Sequence, residues 1–187
     1  MSKKVLVIST SLRSNSNSEA LADEFVCGAL EQGNQVEKVS LRNQTIHFCH
    51  GCLACQKTGR CVIDDDANAI TAKMLDADVL VFASPIYYYE IAGQMKTLLD
   101  RANPLFGLDY QFREIYFLSS AAENEAGVDS RAINGLEGWI DCFPKAHLAG
   151  TVFAGGVIAL GEIQNHPALQ KAYEMGKRCG LDDSKGM

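Results

Sequence analysis

Blocks of three to six residues dominated by apolar side chains alternate along this chain with longer stretches in which apolar positions recur every three or four residues. The first pattern predicts strands buried on both faces and the second predicts helices, so their alternation predicts a parallel sheet covered on both sides. Predicted strands span 5–8, 36–41, 79–83, 115–118 and 151–153. Ala20, Leu21, Phe25 and Leu30 give the stripe of a first helix that Gly33 ends. Asp64-Asp65-Asp66 opens a second, carrying Ala67, Ile70, Met74 and Leu75, and the acidic run complements its dipole. Further helices are predicted over 91–102, around Ile133, Leu136, Ile140 and Phe143, and over 167–178. No repeat or linker interrupts this order, which predicts one domain over 1–180 and a short polar tail over 181–187.

Five strands and five helices in this order predict a flavodoxin-like, doubly wound α/β fold with strand order 2-1-3-4-5 and helices on both faces. A ligand crevice then lies where the order reverses, outside the carboxyl ends of the first and third strands. The turn leaving the first strand is Ser9-Thr10-Ser11-Leu12-Arg13-Ser14-Asn15-Ser16-Asn17-Ser18, directly ahead of a helix. Such a turn aims backbone N–H groups and the positive end of a helix dipole at one small volume, as a phosphate requires. A single N-cap would explain one of these residues, but not five serines, a threonine and two asparagines around Arg13. The turn has neither the Gly-Lys-Ser/Thr of a Walker loop nor any glycine of a dinucleotide fingerprint, so a terminal phosphate, and thus a mononucleotide, is the predicted ligand. The turn leaving the third strand, Ser84-Pro85-Ile86-Tyr87-Tyr88-Tyr89-Glu90, sets a proline and three aromatic rings beside it, with at least one tyrosine expected to fold back onto the core. A phosphate cradle next to an aromatic platform predicts flavin mononucleotide (FMN).

Charge and composition narrow the partners. With a net charge of −6 and no Lys/Arg-rich run, neither nucleic acid nor an anionic membrane surface is an expected partner. The apolar segment after Lys3-Lys4 is short of the roughly 7 to 15 residues of an export signal, and nothing reaches the roughly 20 of a membrane span. A soluble, cytoplasmic protein is expected, and its seven cysteines are expected to be reduced thiols or metal ligands rather than a disulfide framework.

Ser11-Leu12-Arg13 with Ser16-Asn17-Ser18, and Ser84-Pro85-Ile86-Tyr87 with Lys96 and Asp100-Arg101, resemble the phosphate loop and the isoalloxazine loop of NADPH-dependent FMN reductases, their iron-sulfur flavoprotein relatives in particular. The family usually has proline at Leu12 and threonine at Ser18. The likeness covers the first hundred residues closely and the rest more loosely. It implies a bound FMN that takes hydride from NAD(P)H and passes electrons to a flavin, a quinone, or an azo or nitro compound. In that reading Ser9, Ser11, Arg13, Ser16, Asn17 and Ser18 hold the phosphate and Pro85, Ile86, Tyr87 and Tyr88 hold the ring. Ser119, Ser120 and Ala121, after the fourth strand, hold the opposite edge. No side chain is assigned as a catalytic acid, base or nucleophile, because the chemistry is the cofactor's. Lys96 reads as an i,i+4 partner of Asp100. The resemblance also implies a homodimer or larger homo-oligomer, with the cysteine loop and 103–110 as expected contact surfaces.

Cys49, Cys52, Cys55 and Cys61 put four thiols within thirteen positions. The Cys-x2-Cys-x2-Cys spacing lets three thiolates converge on one cubane face while a fourth closes the cage, as in ferredoxins, whereas a structural zinc more often uses two separated pairs. Iron-sulfur flavoproteins carry this compact arrangement, followed by an acidic pair like Asp64-Asp65. The alternative reading is an electron-transfer protein with FMN plus a [4Fe-4S] cluster that exchanges electrons with a protein partner rather than with nicotinamide. Relatives without a cluster carry a similar loop, so reduced free thiols stay open. Cys27 and Cys142 are expected as small core residues, His47 and His50 as bystanders, His147 and His166 without partners, and Trp139 in packing.

Overall fold

A computed structural model describes residues 2–181; of the expected tail, residues 182–187 lie outside the described residues. Five parallel strands form the sheet: β1 (Lys4–Ser9), β2 (Gln35–Ser40), β3 (Val79–Tyr87), β5 (Glu114–Ser120) and β6 (His147–Ala154), in the order β2-β1-β3-β5-β6. The expected order is therefore present among the parallel strands. The expected count of five is corrected to six, because β4 (Glu90–Ile91) folds back antiparallel on the end of β3.

Strand periodicity sorts the core into two layers. Leu6, Ile8, Leu80, Phe82, Ile115 and Phe117 point to one face, where α3 (Asp66–Asp76), α4 (Gly93–Arg101) and α5 (Ser130–Ile140) cover them. Val5, Val7, Val79, Val81 and Leu118 point to the other, beneath α1 (Asn17–Glu31) and α6 (Pro167–Arg178). A short α2 (Cys55–Thr58) sits inside the cysteine loop, where no helix was expected. Trp139 packs on Phe112, Phe143 and Phe82 as expected. Cys27 and Cys142 are exposed rather than core, because each falls on the outward side of its helical turn, while Cys179 is fully buried and burial pushes its thiol up to about 12. His166 does have a partner: its Nδ1 accepts the Ala168 N–H at 3.1 Å and caps α6. No helix among the described residues is long and apolar enough to cross a membrane.

Two glycines set the distance between α1 and α6. A Cβ on Gly28 would lie 2.1 Å from the Tyr173 carbonyl oxygen, and one on Gly176 would lie 2.1 Å from the Phe25 carbonyl oxygen. Real Cβ atoms do not approach so closely, so the helices pack backbone to backbone only without those side chains. Gly138 of α5, by contrast, faces open space. Gly176→Ala is expected to destabilise the fold by about 2 kcal/mol or more and lower the thermal midpoint by roughly 4–8 °C. Gly138→Ala is expected to leave it unchanged or raise it, since alanine gains up to about 1 kcal/mol in a helix. Thermal melts of the two variants check both signs.

Candidate functional site

The turn before α1 is shaped by its own side chains. Asn15 adopts a left-handed conformation (φ 53°), one of the few that asparagine tolerates, and this reverses the chain into the helix. Ser16 then caps α1, its Oγ accepting the Glu19 N–H at 3.2 Å, and Ser11 Oγ accepts the Arg13 N–H at 3.3 Å. The N–H groups of Asn17 and Ser18 have no acceptor among the described residues and face outward from the helix end. That is the donor set an anion needs.

This turn is laced to the loop after β6, which sequence reasoning did not place in the site. The Arg13 guanidinium donates to the Ile158 carbonyl at 3.0 Å. Asn17 bridges the same loop with both ends of its amide, donating to the Ala159 carbonyl at 3.0 Å and accepting the Ile163 N–H at 3.3 Å. Glu162 folds the loop by accepting the Ile158 and Ala159 N–H groups at 2.5 and 2.7 Å, and those bonds hold its carboxyl below the usual range. Arg13 and Asn17 thus already have protein partners, and Gly155-Gly156 was the available signal: a Cβ on Gly155 would meet Asn124 Oδ1 at 2.5 Å.

The opposite wall is firmer than a loop. β3 runs on through Pro85, Ile86 and Tyr87, and β5 through Ser119 and Ser120, so these residues are strand ends held in register, Ser84 opposite Ser119 and Pro85 opposite Ser120. Tyr88 and Tyr89 form the two-residue turn into β4, both left-handed (φ 53° and 67°). Such a turn normally takes Asn-Gly; two tyrosines there carry on the order of 1–2 kcal/mol of strain each. None of the three tyrosines folds back onto the core as expected: Tyr87, Tyr88 and Tyr89 are all exposed, because the turn carries them past the buried part of β3, and Tyr89 lies against Arg131, 5.6 Å from its ring centre.

Ser11, Arg13, Ser16, Asn17, Ser18, Pro85, Ile86, Tyr87, Ser120 and Ala121 line one cavity of about 150 Å³ between the ends of β1 and β3, joined by Ala122, Val157 and Ile158. Ser9, Ser119 and Tyr88 are not in its walls. The Ser9 and Ser119 hydroxyls lie buried at the strand ends without hydrogen-bond partners among the described residues. Small-molecule sites usually enclose about 300 Å³ or more, so part of any nucleotide held here stays exposed at the mouth.

The four clustered cysteines line a second cavity, of about 270 Å³, with Asp100 and Asn103 of α4 and the turn after it. Cys55 is buried, Cys61 half-buried, and Cys49 and Cys52 exposed. Among the described residues no three His, Cys, Asp or Glu side chains converge on a single metal ion. A zinc would need its sulfurs about 2.3 Å from one point, whereas a [4Fe-4S] cubane takes one thiolate at each corner, and the lining of this cavity supplies that donor set in Cys49, Cys52, Cys55 and Cys61. Beneath this loop Arg101 is completely buried and pairs with Asp65 through both carboxylate oxygens at 2.7 and 2.8 Å. It also donates to the His47 and Ile63 carbonyls at 2.8 and 3.1 Å, closing the loop at both ends. His47 is more than a bystander, since its backbone N–H and ring both reach Asp65. Burial opposes the Asp65 charge, but hydrogen bonds from Arg101 and His47 outweigh it and hold the carboxyl well below the usual carboxylate range. Lys96 pairs with Asp100 at 2.6 Å, as its spacing predicts.

A phosphate-ready helix end facing a proline and aromatic strand end, at the switch point of a doubly wound sheet, defines a mononucleotide-binding α/β protein. The sequence profile of NADPH-dependent FMN reductases matches residues 3–134. An iron-sulfur flavoprotein of Methanocaldococcus jannaschii is 30% identical over 94% of each chain, and one of Methanosarcina thermophila is 28% identical over 92% of this chain and 87% of the other. Among solved structures, an NAD(P)H:quinone oxidoreductase from Methanothermobacter marburgensis superposes with a TM-score of 0.75 at 17% identity, covering 95% of this chain and 96% of the other. The chain belongs to the NADPH-dependent FMN reductase family, whose members are FMN-dependent NAD(P)H oxidoreductases.

Because the Asp65 pKa is depressed by folding, its contribution to stability is complete above about pH 4 and is lost as pH falls from there. Thermal melts are expected to show a midpoint that drops below about pH 4, and a smaller drop in Asp65→Asn. Arg101→Met, which strands the buried carboxylate, is expected to cost about 3–5 kcal/mol at pH 7.

Proposed function

We propose that this chain holds FMN in the cavity between the ends of β1 and β3, oxidises NAD(P)H there, and delivers the electrons to a small acceptor such as a free flavin, a quinone, or an azo or nitro compound. The observation that carries this reading is the convergence of the Ser/Asn turn, the Pro85–Tyr87 strand end and the Ser120–Ala122 edge on one cavity. When bound, FMN supplies the hydride-accepting ring and the protein supplies position and electrostatics. Ser11, Ser16, Ser18 and the free N–H groups of Asn17 and Ser18 bind the phosphate. Arg13 neutralises it and at the same time ties the Ile158 carbonyl, so the far wall closes over the cofactor. Pro85, Ile86 and Tyr87 orient one side of the ring, and Ser120 and Ala121 its other edge.

The exposed mouth also supports a homo-oligomer. Tyr87 and Ile158 in its walls and Leu12 in the adjoining turn leave large apolar surfaces in water, and Leu12 also lines a separate cavity of about 420 Å³ with Leu41, Ile46, Phe48 and the polar Gln44, Gln94 and Thr97. A second copy of the chain covering this rim would exclude water from the flavin.

The cysteine cavity favours a second, compatible reading: a [4Fe-4S] cluster on Cys49, Cys52, Cys55 and Cys61 that adds a one-electron route to or from the flavin. Both relatives named above are iron-sulfur flavoproteins.

Titration of flavin-free protein with FMN, read by quenching of flavin fluorescence, is expected to saturate at one FMN per chain; absence of uptake by folded protein overturns the reading. Arg13→Ala is expected to weaken binding by about tenfold or more, the worth of a hydrogen bond to a charged group. Anaerobic NAD(P)H is expected to bleach the bound flavin. Iron and acid-labile sulfide in the anaerobically purified protein decide the second reading.

A further inference from the structure

A nitrogen donor faces sulfur in the cysteine cavity. Asn103 Nδ2 donates to Cys55 Sγ at 3.0 Å, the one hydrogen bond this side chain makes among the described residues. Arg101, two residues earlier, spends its terminal nitrogens on His47, Ile63 and Asp65 rather than on the cysteines. Asp100, the acidic residue in the same wall, is turned to Lys96 at 2.6 Å.

We propose that Asn103 is a positioning residue that raises the reduction potential of the cluster by donating its side-chain N–H to the sulfur of Cys55. This rests on the iron-sulfur reading above. One-electron reduction of a thiolate-held cluster adds one negative charge to the cavity and no proton. A donor already aimed at a sulfur stabilises that added charge, and removing it makes reduction harder. Asn103 is the position to vary because its side chain makes no other hydrogen bond among the described residues.

The test uses the full chain, FMN-loaded and reconstituted anaerobically with ferrous iron and sulfide. Iron and sulfide are quantified, and the cluster's midpoint potential is read by redox titration of its paramagnetic signal. Asn103→Leu is expected to retain iron and to shift the reduction equilibrium about tenfold toward the oxidised state, which is about 59 mV for one electron. Asn103→Asp, which turns a carboxylate toward Cys55, is expected to shift it further, and the flavin potential is expected to stay unchanged in both. Equal potentials at equal iron content overturn the inference and leave the cluster reading standing. Folded, FMN-containing variants that lose their iron also overturn it, since Asn103 would then retain the cluster rather than tune it. A wild-type chain that takes up no iron overturns the cluster reading itself, and the inference with it.

Discussion

The cysteine side of this molecule hangs on one buried ion pair. The guanidinium of Arg101, at the end of α4, grips Asp65, at the start of α3, and the carbonyls of His47 and Ile63 at the two mouths of the loop. A loop of some fifteen residues would otherwise lose considerable entropy in closing. Here its ends are held by charge-assisted bonds with no exposure to water, where such bonds are strongest and an unmatched partner is most costly. The clamp sets where the cysteines stand relative to α4, and therefore that Asn103, two residues past Arg101, meets Cys55.

The nucleotide side is organised on a different principle. No buried ion pair is involved; instead a helix end is left with free N–H groups, and an amide and a guanidinium stitch it to the loop after β6. The other wall is rigid because it is sheet, extended beyond the buried region by β4 and turned by two strained tyrosines. The strain at Tyr88 and Tyr89 is bearable because Ile86 is locked opposite Ile91 and Tyr89 rests on Arg131. One cavity is thus flanked by a laced loop and a paired strand, with the cysteine loop a helix away.

Much of this was legible from residue order. The four- and five-residue apolar runs 5–8, 79–83 and 115–118 marked the three inner strands, since a strand buried on both faces has few polar positions to confuse it, while the edge strands β2 and β6 carried the weaker signals 36–41 and 151–153. The hydroxyl-rich turn pointed to the cavity because chemistry at a switch point concentrates in one contiguous segment. What was not legible came from contacts distant in sequence. Val157 and Ile158 join the wall through partners far off in sequence: the Val157 N–H bonds the Ala121 carbonyl at 2.9 Å, and Arg13 reaches the Ile158 carbonyl across 145 residues. β4 escaped notice because two residues show no period, and because Tyr-Tyr is an unlikely choice for a turn that favours Asn-Gly. Arg101 read as part of a flavin-side helix, yet its helix turns it toward the cysteines; a buried arginine looks like an exposed one until its carboxylate is found.

The bare-backbone crossing of α1 and α6 has a bearing well away from where it occurs. α1 begins at the Ser/Asn turn that lines the cavity, and its depth against the sheet is gauged by Gly28 and Gly176 rather than by compressible side chains. Main chain against main chain behaves as a machinist's stop: it leaves no slack in either direction. The Ser/Asn wall of the cavity is thereby referenced to α6 on the outer face, so that helix serves as the datum from which the cavity end of the molecule is measured.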